Sequence, residues 1–325
     1  MPLVGTKIKI SGDQFGHMVR NHCLLVDKSL LIQEFLEGEI VSLITRPRRF
    51  GKTLNMSMLH HFFSATVDGQ STVGLFDQFA IAKVDDGAFL KAHQGQYPVI
   101  FITFKDAKSS SYEHALDNLK ELIQSLYWQH KSVINSERLD KDIKEKFQLY
   151  SRNEISQASL EKALYFLSQC LYQVYEQKVI ILIDEYDTPL TSAYEHGYIE
   201  SLSELIRNLF SSALKGNPYL EKGLMTGILR VSQNSLLSGL NNLEVYTLLN
   251  TDYDRYFGFT ETEVLELIHH LGVEDELSKI KDFYNGYRIG EQVIYNPWSL
   301  MSYCKHRVLQ PYWVLTSNDY LLKNL

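Results

Sequence analysis

RPRRFGKT, Arg46–Thr53, is the stretch on which the reading of this chain turns. It ends like the phosphate-binding pattern GxxxxGK[ST], with Arg46 in place of the first glycine. Before it, EIVSLIT (39–45) is a short β-branched apolar run that reads as a buried strand. After it, Leu54, Met58, Leu59, Phe62 and Phe63 recur at helical spacing. A loop of this composition between a strand and a helix is the context in which the pattern carries meaning.

Such a loop holds phosphates because backbone N–H groups are exposed at a helix N-terminus. Lys52 is placed to reach the β- and γ-phosphates, and Thr53 to bind Mg²⁺ through its hydroxyl. Gly51 lets the backbone come close. The candidate nucleotide-binding segment is therefore Arg46, Pro47, Arg48, Arg49, Phe50, Gly51, Lys52 and Thr53. The missing glycine supplied conformational freedom rather than chemistry. Pro47 biases Arg46 toward an extended shape, which removes the need for a positive φ there. Arg48 and Arg49 then project near the phosphates or over the outer surface of the loop. The alternative is a solvated basic turn ahead of a helix.

Two further runs fit the same site. In KVIILIDEYD (178–187) an apolar strand ends in acids. Asp184 is placed to hold the Mg²⁺ shell, and Glu185 to orient or deprotonate water; an ordinary strand-to-loop exit is the alternative. In GLMTGILRVS (223–232), Thr226 is the candidate γ-phosphate sensor, and Arg230 the cation for the transition state. A core-facing threonine and a surface arginine remain open. The sensor strand is expected to lie between the loop strand and the acidic strand. An added strand then separates those two in sequence, as in ATPases with an extra catalytic glutamate.

YPVIFITF (97–104) reads as the second strand and LEVYTLL (243–249) as the fifth. The segment from about 110 to 177 is helical by pattern, and YIESLSELIRNLFSSALKG (198–216) is an amphipathic helix. In VDKSLLIQEFLEG (26–38), Asp27 or Ser29 is the expected N-cap and Gly38 the stop. Apolar runs separated by helices predict an α/β fold, a P-loop NTPase core with a five-stranded, mainly parallel sheet covered by helices. From about Phe257 the character changes. FTETEVLELIHHLG (259–272) opens with Thr260 and a capping box to Glu263, and short helical pieces with aromatic turns follow. The expected division is a core at 1–256 and a smaller, mainly helical unit at 257–325. Within the aromatic turns of that unit Arg288 is the one cation that could reach toward the core, a surface salt bridge being the favoured alternative.

The chain has 325 residues, 45% hydrophobic and 22% charged, with net charge −7, which argues against a general nucleic-acid binder. Cys23, Cys170 and Cys304 form no CxxC pair, so buried thiols in a reducing cytoplasm are expected rather than zinc or disulfides. No signal peptide or membrane span is evident. A soluble, cytoplasmic protein without membrane partners is the expectation.

Together VDKS, LITRPRRFGKTLNMSML, IILIDEYDTPL, GILRVSQNSLLSGLNN, YFGFTETEV, YNGYRIG and YNPWSL resemble the AAA-ATPase-like family of bacterial proteins, from about Gly12 to Asn318. RPRRFGKT is also similar to the GPRR-x-GKT loop of archaeal ATPases and other STAND-type NTPases. The resemblance implies a P-loop ATPase core, ATP and Mg²⁺ as ligands, and a small helical or winged-helix-like unit after the core. Many members continue into a PD-(D/E)XK nuclease-like region, and this chain stops about where that region would begin. Asp142 and Lys144 have a D-x-K spacing but fall in a polar helix, so nuclease activity does not carry over. A nucleic-acid partner is expected only if a longer form bears that region. Two functions follow from the resemblance. One is Mg²⁺-dependent ATP hydrolysis coupled to a conformational change. The other is a nucleotide-gated switch with little hydrolysis, released by an unknown protein partner.

Overall fold

The computed structural model of the chain describes residues 3–10, 12–228, 240, 242–273 and 277–312. Its centre is a five-stranded sheet. The strands are β1 (Val41–Thr45), β2 (Val99–Thr103), β3 (Val179–Asp184), β4 (Leu220–Gly227) and β5 (Leu243–Tyr246). They lie in the order β2-β3-β4-β1-β5, and every pairing is parallel. The fold is α/β.

Why the central stretches of the sheet read as largely apolar runs is plain from their two faces. Leu43, Ile181, Ile183 and Met225 enter one core, with helices α3 (Tyr112–Gln129), α5 (Ala163–Tyr175) and α7 (Ile199–Leu214). Ile44, Ile180, Leu182 and Leu224 enter the other, with α1 (Leu31–Glu37) and α2 (Lys52–Phe63). With no wet face, neither alternate position needs a polar residue. The helical stretch between β2 and β3 also contains α4 (Lys141–Ser151), which holds Asp142 and Lys144. A short helix, α6 (Thr188–Glu195), follows β3.

The described residues from 259 to 312 build a second core around a three-stranded antiparallel sheet in the order β6-β8-β7, while Phe257 packs in the core of the larger sheet. The strands are β6 (Phe259–Thr260), β7 (Asn285–Ile289) and β8 (Gln292–Tyr295); α8 (Glu261–His270), α9 (Leu277–Tyr284) and α10 (Pro297–His306) pack beside them. Val264, Leu267, Ile280, Leu300 and Tyr303 are buried together, and Leu24 joins them from the N-terminal part of the chain. The β7–β8 hairpin turns in two residues, and Gly290 at φ 53 provides the left-handed position such a turn requires.

The expected capping box is present. Thr260 Oγ1 accepts from Glu263 N at 3.4 Å, and Glu263 Oε2 from Thr260 N at 2.7 Å. The expected cap at the start of α1 is not. The N-cap of that helix is Leu30, with no side-chain bond. Asp27 instead accepts from Ser29 N and Ala80 N, and Ser29 Oγ from Ile81 N, so both residues tie this segment to one that passes over it. Gly38 does close the helix. The three cysteines are free and buried. No helix among the described residues is long and apolar enough to cross a membrane.

Candidate functional site

The C-terminal ends of β1, β4 and β3 lie side by side, because parallel strands bring their carboxyl ends to one edge. Ile44 pairs with Thr226, Thr45 with Gly227, and Ile183 with Met225. That register puts the end of β1, Thr226 and Asp184 within reach of one another. The strand carrying Thr226 lies between the loop strand and the acidic strand.

Asp184 is fully buried and accepts two hydroxyl hydrogen bonds. Thr53 Oγ1 donates to Oδ2 at 2.8 Å and Thr226 Oγ1 to Oδ1 at 2.5 Å. A buried carboxylate is tolerated only when its oxygens are satisfied. Lys52, the first residue of α2, is buried too. Its Nζ donates to the carbonyls of Arg46 and Pro47, both at 2.9 Å, so the ammonium stands inside the curve of the loop. Burial lowers the pKa of Lys52, and Asp184, Asp187 and Glu185 oppose that shift.

Gly51 is the N-cap of α2 at φ 83, with no side chain capping the first turn. Its glycine is required by that left-handed backbone rather than by space, since a Cβ there would meet no atom within 4 Å. The N–H groups of the first turn lack intrahelical acceptors and carry the positive end of the helix dipole. Loop, helix start and lysine together form a cradle of N–H groups and one ammonium, an arrangement able to receive an anion.

Glu185 follows Asp184 at φ 52, left-handed for a residue that has a Cβ. Its Oε2 accepts from Thr188 Oγ1 at 3.2 Å. Burial first, and Asp184 second, raise its pKa above the ordinary glutamate value. Its carboxylate accepts one side-chain hydroxyl hydrogen bond, against two at Asp184. Among the described residues no three His, Cys, Asp or Glu side chains form a preformed metal cage. Thr53 Oγ1 and Asp184 are oxygen donors of the kind that could share a Mg²⁺, an ion that keeps most of its shell in water and phosphate oxygens.

The sequence grouped eight loop residues together, and the structure divides them. Arg46 points away from the cradle. It is 1% exposed, and its Nη1 donates to the carbonyls of Thr45, Tyr246 and Thr247 at 2.9, 3.1 and 2.8 Å. The guanidinium is a structural bracket that ties the loop to the end of β5. Its φ is not positive, unlike that of Arg49 at 71. Pro47 contributes a carbonyl to Lys52. Arg48 is exposed. Arg49 lies over Trp298 with its guanidinium carbon 3.8 Å from the ring centroid, and Phe50 is buried. Thr226 is engaged with Asp184. Arg230 lies outside the described residues. Arg288 is exposed on β7.

One residue of the site went unassigned in the sequence. Asp187 is buried and accepts from Ile228 N at 2.8 Å, fastening the chain just beyond Thr226. A Cβ on Gly227 would fall 2.5 Å from the Tyr186 ring and 2.8 Å from Asp187 Oδ1, so only glycine allows this approach. The three acids Asp184, Glu185 and Asp187, close together after an apolar run, were the available signal. A separate cavity of about 410 Å³, lined in part by His60, Tyr97, Phe101, His130 and Tyr175, lies by the N-terminal ends of β2 and β3. It has no lysine or arginine in its lining, and burial lowers His60 to about 3 and His130 to about 4. That cavity is unsuited to phosphate.

The chain is 24% identical over 303 residues to the "Uncharacterized protein in vnfD 5'region" of Azotobacter chroococcum mcd 1. The match covers 92% of this chain and 52% of that protein, so the chain spans about half the length of the curated relative. No solved structure matches it. The model of the AAA-ATPase-like family, described as predicted AAA-ATPase, matches residues 9–237, which include every described residue of the cradle and its acids. The chain belongs to this AAA-ATPase-like family.

Proposed function

We propose that the protein binds ATP with Mg²⁺ and hydrolyses it, coupling hydrolysis to a conformational change. The observation that carries this is the chain Thr53–Asp184–Thr226 beside Lys52, at the C-terminal edge of three adjacent parallel strands. In the proposed reaction, Lys52 turns from the loop carbonyls to the β- and γ-phosphates, and the free N–H groups at the start of α2 hold their oxygens. Thr53 and Asp184 would hold Mg²⁺, which when bound would neutralise charge on the phosphates. Glu185 accepts the proton of the attacking water, a role suited to its raised pKa.

A second reading is a nucleotide-gated switch with slow or no hydrolysis, released by a protein partner. Contacts between the loop tip and residues beyond 257 favour keeping it, because nucleotide state and the position of that unit are then joined. Binding of ATP and its turnover, with and without Mg²⁺, separate the two. Lys52→Ala is expected to abolish measurable ATP–Mg²⁺ binding, since the remaining N–H groups bear no full charge. Wild-type affinity in that variant would refute the phosphate-loop assignment. Bound nucleotide that persists for hours without phosphate release would select the switch.

A further inference from the structure

Phosphate cradles need backbone N–H groups and a lysine, and nothing in that chemistry calls for a buried aromatic at the loop tip. Phe50 is nevertheless 1% exposed. Its ring packs with Ile289, Ile294 and Leu248, and meets Tyr287 edge-on at 4.8 Å. The pocket comes from the β7–β8 hairpin and the chain after β5. Gly258, at φ 105, seals it: a Cβ there would stand 3.0 Å from Phe50 Cδ1 and 2.2 Å from Ile294 Cγ2. Next to Phe50, Arg49 lies on Trp298 of α10. One turn into α2, Asn55 Nδ2 donates to Tyr256 O at 2.9 Å.

The backbone explains what this grip does. Arg49 has φ 71 and Gly51 φ 83, two left-handed residues flanking Phe50. Alternation of this kind turns successive N–H groups toward one concavity, the nest that receives anions. Glycine takes the left-handed region freely, but arginine does not. The stack on Trp298 and the burial of Phe50 supply the compensating attraction.

We propose that Trp298 and the hairpin pocket of Tyr287, Ile289 and Ile294 are positioning residues that hold the phosphate loop in its anion-receiving conformation. This rests on the reading of the loop as a nucleotide site. Docking of the unit beyond 257 and binding of nucleotide are then linked, each strengthening the other by the same factor.

The test is isothermal titration with the Mg²⁺ complex of a non-hydrolysable ATP analogue. Trp298→Ala is expected to weaken binding about 5- to 30-fold, the range of a cation–π contact plus one strained residue. Trp298→Phe, which keeps a ring under Arg49, should recover most of the loss. The decisive arm is the Arg49→Gly background. Glycine needs no help at φ 71 and has nothing to stack, so adding Trp298→Ala there should cost nothing further. Equal losses in both backgrounds, or unchanged affinity in Trp298→Ala, would overturn the proposal while the nucleotide site stood. Failure of the wild type to bind the analogue would remove the nucleotide reading and this inference with it. If Trp298→Ala does not fold, Arg49→Ala against Arg49→Gly asks the same question from the exposed side: alanine should bind more weakly than glycine, and parity would overturn the proposal.

Discussion

The guanidinium of Arg46 donates to the main-chain carbonyl of Thr247 at 2.8 Å, joining residues 201 positions apart. Nη1 also serves Tyr246 O, and Nη2 reaches Tyr253 O at 3.4 Å. Burial lowers the guanidinium to about 10, opposed by Asp254, so it stays charged at neutral pH among carbonyls. Arg46→Gly restores the usual phosphate-loop pattern, yet it should destabilise the fold by about 2–4 kcal/mol, because several buried carbonyls lose their donor. Urea denaturation measures this. Unchanged stability together with tighter ATP binding would mean that the loop had been repaired instead.

Glu185 should separate binding from turnover. Glu185→Gln keeps shape and hydrogen bonding but takes no proton, so binding should persist while turnover falls about 10²-fold or more. Its raised pKa adds a pH signature. As pH falls through that raised value the base protonates and wild-type turnover should drop. Stability runs in the opposite sense. The folded state resists ionising Glu185, so it carries a penalty at pH above the raised pKa that is absent below the unfolded value. Glu185→Gln should therefore raise the Tm at neutral pH, with the gain vanishing in acid. A constant gain at all pH values would assign the effect to packing.

Much of this site could be read in the sequence because its parts are local. GKT at a strand-to-helix junction, acids after VIILI, and Thr226 near the end of an apolar run are each visible within ten residues. The sensor strand was expected between the loop strand and the acidic strand, and it lies there. The helical start at Thr260 was legible for the same reason, since both halves of a capping box lie three residues apart. What stayed hidden depends on distant partners. Arg46 and Phe50 look like members of a basic loop until residues 246–253 and 287–294 close around them. Asp27 and Ser29 resemble helix caps, but they satisfy N–H groups some 50 positions away. No periodicity records such contacts.

Lys28 and Glu263 form a buried ion pair at 2.6 Å, with side chains only 9% and 14% exposed. Lys28 also donates to Arg255 O at 2.5 Å, so VDKS fastens the start of α8 to the core. Burial lowers its pKa, and Glu263 opposes that. Lys28→Met strands a carboxylate and should cost about 3–5 kcal/mol. Adding Glu263→Gln should recover most of it, because glutamine removes the charge and can still accept from Thr260 N. A double variant no more stable than Lys28→Met would show that packing around Lys28, not charge, carries the effect.

The unit beyond 257 should report the nucleotide through these same joints. Asn55 holds Tyr256, Phe50 sits in the hairpin, and Gly290 N donates to Leu248 O at 2.9 Å, so the cradle and the hairpin share contacts rather than a flexible tether. A ligand that orders the loop should therefore slow exchange of amides at 251–258 and 285–295, and slow proteolysis near 251–258. ATP should protect more than ADP if the γ-phosphate draws Lys52 from the carbonyls of Arg46 and Pro47, since only that group distinguishes the two ligands. Lys52→Ala should abolish the protection, and Phe50→Ala should reduce it at 285–295 while sparing β2 and β3. Identical exchange in the apo, ADP and ATP forms at shown saturation would leave a rigid accessory unit, with binding energy spent locally and no switch.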